Sequence, residues 1–253
     1  MKLLRRLFSN SPDADTKPFD APVSPDQPFF VIGDLHGCDS LLARLLDKID
    51  QADKEGQARL VFVGDYVDRG EESAAVLRRL FALRDTPAVC LAGNHEDMML
   101  KFIDHPVDRG ERWIKFGGLQ TLASFGVSGV STGSSGDALE YARDQLIEAM
   151  GEDMIDWLRA LPTFWQSGNV AVVHAAADPM VPIDQQEERV LKWGHKDFRH
   201  TPRQDGIWTV HGHTIVDSPT IENGRVAIDT GAYATGRLTA ASISHHGIDF
   251  LQA

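Results

Sequence analysis

Three stretches of the chain begin as uninterrupted apolar runs and end at a glycine that polar residues follow. Phe29 to Ile32 end at Gly33, the run in RLVFVGD ends at Gly64, and the run in PAVCLAGN ends at Gly93. Continuous runs of β-branched and aromatic residues are typical of strands that are buried on both faces, as in a parallel sheet. We therefore predict three buried strands in the first hundred residues.

Between these strands the apolar positions recur at helical spacing. In DSLLARLLDKID, leucine and isoleucine fall at intervals of three and four residues, with Asp39 or Ser40 as the N-cap. ESAAVLRRLFALR, after the second strand, has the same pattern. The order β-α-β-α-β predicts an α/β fold with a parallel sheet and right-handed crossovers.

The pattern changes in the second part of the chain. We interpret residues 97–165 as a helical insertion within a single domain, and its segment GVSGVSTGSSG as a surface loop. NVAVVHA then resumes the strand pattern. Three further segments, IWTVHGHT, RVAIDTG and RLTAASIS, are expected to form a second and more antiparallel sheet.

The N-terminal segment has a different composition. Proline, aspartate and serine are frequent from Ser9 to Pro28, which predicts a disordered leader over residues 1–28 and one domain over residues 29–253. MKLLRRLFSN could alternatively form an amphipathic turn on a membrane or a partner. No run approaches the ~20 apolar residues of a membrane span, and no signal-peptide core is present. We therefore expect a cytoplasmic protein.

Net charge and cysteine content limit the classes of function that the chain can have. The net charge of −12 in 253 residues argues against a nucleic-acid polymer as partner, because such binders neutralise phosphates with a positive surface. A smaller phosphorylated substrate stays open if a metal supplies positive charge. Cys38 and Cys90 lie outside any C-x-x-C pair and are read as reduced thiols, with a disulfide as the alternative.

Five predicted strands end in groups that can bind a metal. In an open α/β sheet, ligands bind at the carboxyl ends of the strands, so we expect these groups to converge. Mixed oxygen and nitrogen ligands suit Mn²⁺, Fe or Zn²⁺. The potential ligands are Asp34 and His36 after the first strand, Asp65 and Asp68 after the second, where Arg69 follows them, Asn94 and His95 after the third, and His174, His211 and His213 after later strands.

Each motif alone has an ordinary explanation. Asp-x-His is common in loops, H-G-H could be two loop histidines, and G-N-H-E could be a helix cap in which Asn94 bonds the first free N–H groups. The order D-x-H, D-x-x-D-R-G, G-N-H-E, H and H, with each motif after a predicted strand, favours a reactive site instead.

The blocks GDLHG, GDYVDRG and GNHE resemble the signature of the phosphoprotein-phosphatase branch of the calcineurin-like metallophosphoesterases, in particular its small bacterial and phage serine/threonine protein phosphatases. IDTGAYATGRLTA resembles their C-terminal strand pair. The resemblance covers about Phe29 to Leu251. It implies an α/β metallophosphoesterase sandwich of two mixed sheets flanked by helices, and two divalent metal ions, with Mn²⁺ preferred over Fe or Zn²⁺.

The resemblance also implies a set of metal ligands. One carboxylate would bridge both metals, as its two oxygens allow. Two metals would hold a hydroxide between them, lower its pKa and clamp the phosphate oxygens for in-line attack. The implied ligands are Asp34, His36 and Asp65 for one metal, and Asp65, Asn94, His174 and His213 for the other.

Three further residues are implied to act on the substrate. His95 would protonate the leaving oxygen, and Asp68 would orient His95 and stabilise its charged form. Arg69 would grip the phosphate through its planar fork of donors. The resemblance thus implies direct hydrolysis by the hydroxide, without a phosphoenzyme.

Two positions depart from the phosphatases of this branch, which often carry an arginine at each. One is Ala92, two residues before Asn94, and the other is His195 in KWGHKDFRH. Lys192, His195 or Arg199 could supply the missing positive charge, and we expect His195 and Arg199 to contact the substrate. The departures leave the substrate class open.

Two residues have alternative roles. His211 and His213 lie two residues apart, so both side chains would face one side of a strand. In the branch that the chain resembles, the histidine before threonine is the ligand. We therefore favour His213 as the ligand and His211 as a support behind it. Asp229 could support a ligand in the same way or simply form a turn.

Three functions are compatible with these residues. The first is a phosphomonoesterase for phosphoserine and phosphothreonine in proteins, which the intact Asp68–Arg69 pair favours. The alternative is a symmetrical dinucleoside-tetraphosphate hydrolase of the same fold, acting for example on diadenosine tetraphosphate, which the two departures and the helical insertion would suit. A remote alternative is a non-catalytic metal-binding interaction module, which would have no use for a general acid such as His95.

Overall fold

The apolar runs form strands in the computed structural model, which describes residues 18–53, 56 and 58–253. Each of the three N-terminal runs yields one short strand that ends before its glycine. The strands are β1 (Phe29–Ile32), β2 (Arg59–Phe62), β3 (Val89–Cys90), β4 (Phe164–Ser167), β5 (Val170–Val173), β6 (Trp208–His211), β7 (Thr220–Glu222), β8 (Arg225–Ala227), β9 (Thr239–Ser244) and β10 (Gly247–Gln252).

Helices connect the N-terminal strands and fill the region between β3 and β4. A π-helical turn, Ile114–Gly118, joins α4 to α5, and a 3₁₀ turn, Ile183–Gln185, precedes α8. The helices are α1 (Asp39–Ala52), α2 (Ser73–Ala82), α3 (Asn94–Asp104), α4 (Pro106–Trp113), α5 (Leu119–Ser124), α6 (Asp137–Met150), α7 (Glu152–Arg159), α8 (Glu188–Trp193) and α9 (Ala232–Thr235). The helices α3–α7 thus occupy the region expected as the helical insertion.

The strands form two mixed five-stranded sheets. Sheet one has the order β10-β9-β1-β2-β3, with β1, β2 and β3 parallel and β9 antiparallel to both of its neighbours. Sheet two has the order β4-β5-β6-β8-β7, with β5, β6 and β8 parallel. The predicted fold class, an α/β sandwich of two mixed sheets flanked by helices, is confirmed.

The assignment of RLTAASIS to the second sheet is wrong. This segment forms β9, which pairs with β1 in sheet one, so that Val31 lies opposite Ala241. The connection between Ala227 and Thr239, which includes α9, carries the chain from one sheet to the other. Neighbouring strands in the sequence therefore lie in different layers, and the C-terminal hairpin completes the sheet that begins the fold.

The period-two alternation of the strands divides the core into layers. Phe29 and Val31 face sheet two, and they pack in one cluster with Val172 and Val210. Their neighbours in β1 face the other way, toward the helices α1–α7. Burial of both faces explains why the first strands read as continuous apolar runs.

Residues 18–28, which we expected to be part of a disordered leader, are bonded to sheet two. The side chain of Asn169 accepts a hydrogen bond from Ser24 N at 2.7 Å and donates to the carbonyl of Pro22 at 2.8 Å. Phe19 packs edge-on against Trp208, with ring centroids 5.0 Å apart. These contacts anchor a segment whose composition alone favours disorder. Residues 1–17, with the rest of the expected leader, lie outside the described residues.

Within the described part of the chain, no helix is both long and apolar enough to cross a bilayer. Both cysteines are free thiols, with Cys90 buried and Cys38 half-buried.

Candidate metal centre and active site

The candidate site lies where the carboxyl ends of parallel strands from both sheets meet. Sheet one contributes the loops after β1, β2 and β3, and sheet two contributes the loops after β5 and β6. These loops bring nine of the singled-out side chains into one contiguous group. They are Asp34, His36, Asp65, Asp68, Arg69, Asn94, His95, His174 and His213.

The backbone of these loops is held in an unfavourable conformation. Among the described residues, six that are not glycine have φ in the left-handed region, and five of the six belong to the site. This conformation costs about 1–2 kcal/mol for a residue with a Cβ, so the surrounding structure must enforce it. The five are His36 (φ 40°), Asp65 (φ 54°), Asp68 (φ 73°), Arg69 (φ 70°) and His213 (φ 64°).

Asp65 stands between two groups of potential ligands. Its Oδ2 atom lies 3.5 Å from His36 Nε2, and its Oδ1 atom lies 3.4 Å from His174 Nε2. His174 Nε2 is also 2.9 Å from the amide oxygen of Asn94. The potential ligand atoms of Asp65, His174 and His213 all lie within 4.8 Å of one another. The two carboxylate oxygens thus face different groups, which is the arrangement that a bridging ligand requires.

Two imidazoles are oriented by backbone carbonyls. His36 Nδ1 lies 2.8 Å from the carbonyl oxygen of Val67, and His174 Nδ1 lies 3.1 Å from that of Val63. Donation from Nδ1 leaves the Nε2 lone pair for another partner. His36 Nε2 is buried and has no hydrogen-bond partner. A buried lone pair that faces a carboxylate at ligand distance fits a divalent cation, which would satisfy both groups.

The charge state of these groups also suits a cation. Burial lowers the pKa of His36 to about 3 and that of His213 to about 4, so both rings are neutral, as a metal ligand has to be. Burial also opposes a charge on His174, but the neighbouring Asp65 carboxylate outweighs burial and raises the pKa of His174 to about 9. The carboxylates around His174 therefore stabilise a positive charge beside Asp65.

Asp34 joins two of the loops that carry potential ligands. Its carboxylate accepts the backbone N–H of His213 at 3.0 and 3.1 Å, which ties the loop after β1 to the loop after β6. Burial and the nearby Asp229 carboxylate raise the pKa of Asp34 well above its ordinary value. The structure thus places Asp34 beside the His213 loop, and a cation near Asp34 and Asp65 would relieve the repulsion between their charges.

Asp68 and His95 form a buried pair. His95 Nδ1 lies 2.6 Å from Asp68 Oδ2. The indole N–H of Trp113 donates to the Asp68 carboxylate at 3.0 Å, and the Thr121 hydroxyl donates to it at 2.7 Å. Both partners come from the helical insertion. Burial opposes a charge on His95, but the carboxylates of Asp65 and Asp68 outweigh it and raise the pKa of His95.

Arg69 is positioned by the insertion and by α9. Its backbone N–H donates to the carbonyl of Gly117 in the π-helical turn at 3.3 Å. Its guanidinium lies 5.0 Å from the ring centroid of Tyr233, and Nη2 lies 3.2 Å from His95 Nε2. The guanidinium therefore stands beside the nitrogen of His95 that Asp68 leaves free.

Glu96 is the residue whose role the sequence did not indicate. It lies in the first turn of α3, where an acid favours the helix dipole, but its carboxylate is fully buried and reaches across to the loop after β2. It accepts the backbone N–H groups of Asp65 at 2.9 Å, Tyr66 at 2.8 Å and Gly93 at 3.0 Å. Glu96 therefore holds the left-handed backbone of Asp65 in place.

The side chains of His211 and His213 have different neighbours. His213 has left the strand, with φ 64°, and its ring lies 5.1 Å from that of His174. The expectation that both histidines face one side of a strand is therefore wrong, because His211 is the last residue of β6 and packs against Phe198 at 4.9 Å. Asp229 accepts the N–H of Gly231 at 2.8 Å, so it forms the turn that leads into α9.

His195 and Arg199 line a cleft that opens beside His213. The cleft has a volume of about 370 Å³ and also includes Lys196 and Trp193 in its walls. His195 Nε2 lies 3.5 Å from the carboxylate of Asp178. The structure thus places two of the expected substrate-binding residues next to the cluster of potential ligands.

Lys192 is engaged elsewhere. Its ammonium pairs with Asp97 at 3.2 Å and with Glu188 at 3.3 Å, and it lies outside the walls of the cleft beside His213. Ala92, half-buried after β3, donates its N–H to the carbonyl of Pro162 at 2.8 Å.

The family follows from a comparison with known proteins. The model of the calcineurin-like phosphoesterases matches residues 27–217, most of the chain. The chain belongs to this family. Membership implies a hydrolase of phosphoesters that uses divalent metal ions, in agreement with the ligand groups around Asp65.

Two similar proteins are named as dinucleoside tetraphosphatases. The asymmetrical bis(5'-nucleosyl)-tetraphosphatase PrpE of Bacillus velezensis is 27% identical over 237 residues, which cover 85% of this chain and 89% of that protein. The symmetrical bis(5'-nucleosyl)-tetraphosphatase of Pseudomonas fluorescens is 33% identical over 153 residues, which cover 59% of this chain and 43% of that protein. These names correspond to our alternative function better than to the preferred protein phosphatase.

Solved structures show the same fold. A crystal structure named provisionally as a diadenosine tetraphosphatase aligns with a TM-score of 0.62 at 22% identity, covering 92% of this chain and 99% of that one. A cold-active protein-tyrosine phosphatase of a psychrophilic Shewanella aligns with a TM-score of 0.53 at 17% identity, covering 91% of this chain and 83% of that one. At these identities the likeness extends to the fold alone.

The role of Glu96 predicts the effect of Glu96→Gln. The amide has one acceptor oxygen where the carboxylate has two, and its NH₂ group would face backbone N–H donors. We expect a loss of about 2–4 kcal/mol in the free energy of unfolding, measured by urea denaturation. Glu140→Gln, at an exposed position of α6, should change it by less than about 0.5 kcal/mol. Equal stability of the two variants would refute this role.

The position of Asp65 predicts that Asp65→Asn loses metal and activity together, because one neutral amide oxygen cannot bridge two cations. With Mn²⁺ at about 100 times its Kd, the wild type should gain roughly 2.7 kcal/mol of stability, and the variant should not. Thermal denaturation with and without Mn²⁺ and metal analysis measure both effects. Asp108→Asn, exposed on α4, is the control. Two metals per chain in the variant would exclude the bridging role.

Proposed function

We propose that the chain hydrolyses dinucleoside tetraphosphates, with two divalent metal ions, of which Mn²⁺ is the preferred one. We further propose that cleavage is asymmetrical and yields a nucleoside triphosphate and a nucleoside monophosphate. Phosphomonoester hydrolysis on proteins, our first expectation, has no specific support from the relatives.

The cleft beside His213 carries the proposal. Its walls combine cationic groups, Lys196 and Arg199, with the indole of Trp193. Phosphates pair with the cationic groups, and a nucleobase can pack on the indole. A volume of about 370 Å³ is within the usual range of small-molecule sites. This combination suits a nucleotide better than an extended phosphopeptide.

The relatives support the asymmetrical position of cleavage. The asymmetrical enzyme of Bacillus velezensis and that of Oceanobacillus iheyensis align over 83–85% of this chain and 86–89% of their own lengths. The symmetrical enzyme of Pseudomonas fluorescens aligns over 43% of its own length. The more complete alignments therefore favour the asymmetrical product pattern.

The metals would supply the electrophilic part of the chemistry. Bound divalent cations polarise phosphoryl oxygens and lower the pKa of a water molecule bound to them to near neutrality. We propose that the residues that would hold them are Asp34, His36, Asp65, Asn94, His174 and His213.

His95 would supply the proton of the reaction. Water attacks one phosphorus atom and releases a proton to solvent, the bridging P–O bond breaks, and the leaving oxygen takes the proton from His95 Nε2, which solvent then reprotonates. Asp68 holds the opposite nitrogen at 2.6 Å, which fixes the ring and stabilises its charged form. Arg69, now 3.2 Å from Nε2, would turn toward the phosphate when the substrate enters.

A comparison of three substrates tests the proposed function. The Mn²⁺-loaded protein is incubated with diadenosine tetraphosphate, a phosphoserine peptide and para-nitrophenyl phosphate. We expect kcat/KM for the dinucleotide to exceed that for the peptide by orders of magnitude, and chromatography to show ATP and AMP in equal amounts. ADP as sole product would mean symmetrical cleavage, and preference for the peptide would overturn the proposal.

The role of His95 predicts a dependence on the leaving group. His95→Asn should lower kcat by roughly 10²–10⁴-fold for an alkyl phosphate, whose leaving oxygen needs a proton. The loss should be much smaller for para-nitrophenyl phosphate, whose leaving group is stable as an anion. His105→Asn, at an exposed position after α3, is the matched control. An equal loss on both substrates would contradict the role of His95 as general acid.

A further inference from the structure

A second cavity lies next to the cleft, on the other side of Trp193. We call it the basic groove. It has a volume of about 540 Å³, and its walls come from α3, α4 and α8. Its cationic residues are Lys101, Arg112, Arg189 and Lys192.

The groove carries positive charge on a negative protein. The whole chain has a net charge of −12, whereas the groove combines four cations with two carboxylates, those of Asp97 and Glu188. The two carboxylates pair with the lysines. Within the described residues, Arg112 and Arg189 have no carboxylate within ion-pair distance, and both side chains are exposed. Two arginines are therefore free to bind an anion.

Trp193 connects the groove to the candidate active site. Its side chain borders both the cleft beside His213 and the basic groove. The guanidinium of Arg112 lies 5.1 Å from its ring centroid, which holds the cation at the boundary. The next residue after Arg112 is Trp113, which donates to the Asp68 carboxylate. The groove is thus built partly on α4, the helix whose Trp113 bonds the Asp68 carboxylate.

We propose that the basic groove binds the second nucleotide of the substrate, the part that remains outside the cleft beside His213. The proposal rests on the proposed function and extends it to a second subsite. A dinucleoside tetraphosphate is a long polyanion with a nucleoside at each end, so one cleft of about 370 Å³ leaves part of it outside. Arg112 and Arg189 pair with its distal phosphates, and Trp193 and Arg112 offer a flat surface to its base.

The double variant Arg112→Gln/Arg189→Gln tests the subsite by steady-state kinetics. We expect KM for diadenosine tetraphosphate to rise roughly tenfold, with kcat within twofold, because two solvated charge-assisted contacts are lost. KM for para-nitrophenyl phosphate, which cannot reach the groove, should stay unchanged. The wild-type KM for the dinucleotide should also rise with salt more steeply than the variant KM, because salt screens the missing contacts.

Arg44→Gln/Arg78→Gln, with the same change of charge at exposed positions of α1 and α2, is the control and should behave as the wild type. Equal KM values for the dinucleotide in the two double variants would overturn the subsite and leave the proposed function standing. A wild type that fails to hydrolyse the dinucleotide would overturn both. A proportional loss on para-nitrophenyl phosphate would assign the arginines to general stability and would also refute the subsite.

Discussion

The arrangement of this site depends on one buried carboxyl group. The carboxylate of Glu96 lies at the start of α3, yet its hydrogen bonds reach the backbone of the loop after β2. A carboxylate without water is costly, and several N–H donors offset that cost. The same donors belong to the segment in which Asp65 has a left-handed conformation. Glu96 therefore connects the third strand end to the second and fixes the residue around which the potential ligands gather.

The helical insertion positions two residues of the candidate site, Asp68 and Arg69. Trp113 and Thr121 hold the carboxylate of Asp68, while Gly117 holds the backbone of Arg69. The kinked turn between α4 and α5 is what allows one short stretch of helix to reach both residues, and π-helical turns often occur at functional sites for this reason. The insertion is thus part of the candidate site, and a change in its length would displace Asp68 and the His95 side chain that it holds.

Much of the fold follows from the chemistry of residue types at strand ends. Buried apolar runs followed by glycine and polar groups indicate parallel strands, and parallel strands bring their carboxyl ends to one edge. The contacts of Glu96 could not be predicted, because its partners are about thirty residues away and an acid in the first helical turn already has a local explanation. The same limit applies to β9, which pairs with β1, about two hundred residues earlier in the chain.

The N-terminal segment shows a different limit of structure prediction from sequence. Residues 18–28 are held by bonds from backbone groups to Ser167 and Asn169, and such bonds leave no periodic apolar pattern in the sequence. Composition reports how much apolar surface a segment can bury, and here that amount is small. Segments that are held against a sheet through polar contacts are therefore easily read as disordered.

The left-handed residues have a consequence for redesign. Five such residues, at about 1–2 kcal/mol each, store free energy comparable to the ~5–15 kcal/mol that usually separates folded from unfolded states. That free energy would be released if any loop relaxed alone, so the loops must be retained or replaced together. Transplanting one ligand loop into another scaffold would transfer its side chains but not the neighbouring strand ends that keep them aimed inward. The smallest portable unit is therefore the pair of sheets together with the helical insertion that holds Asp68 and Arg69.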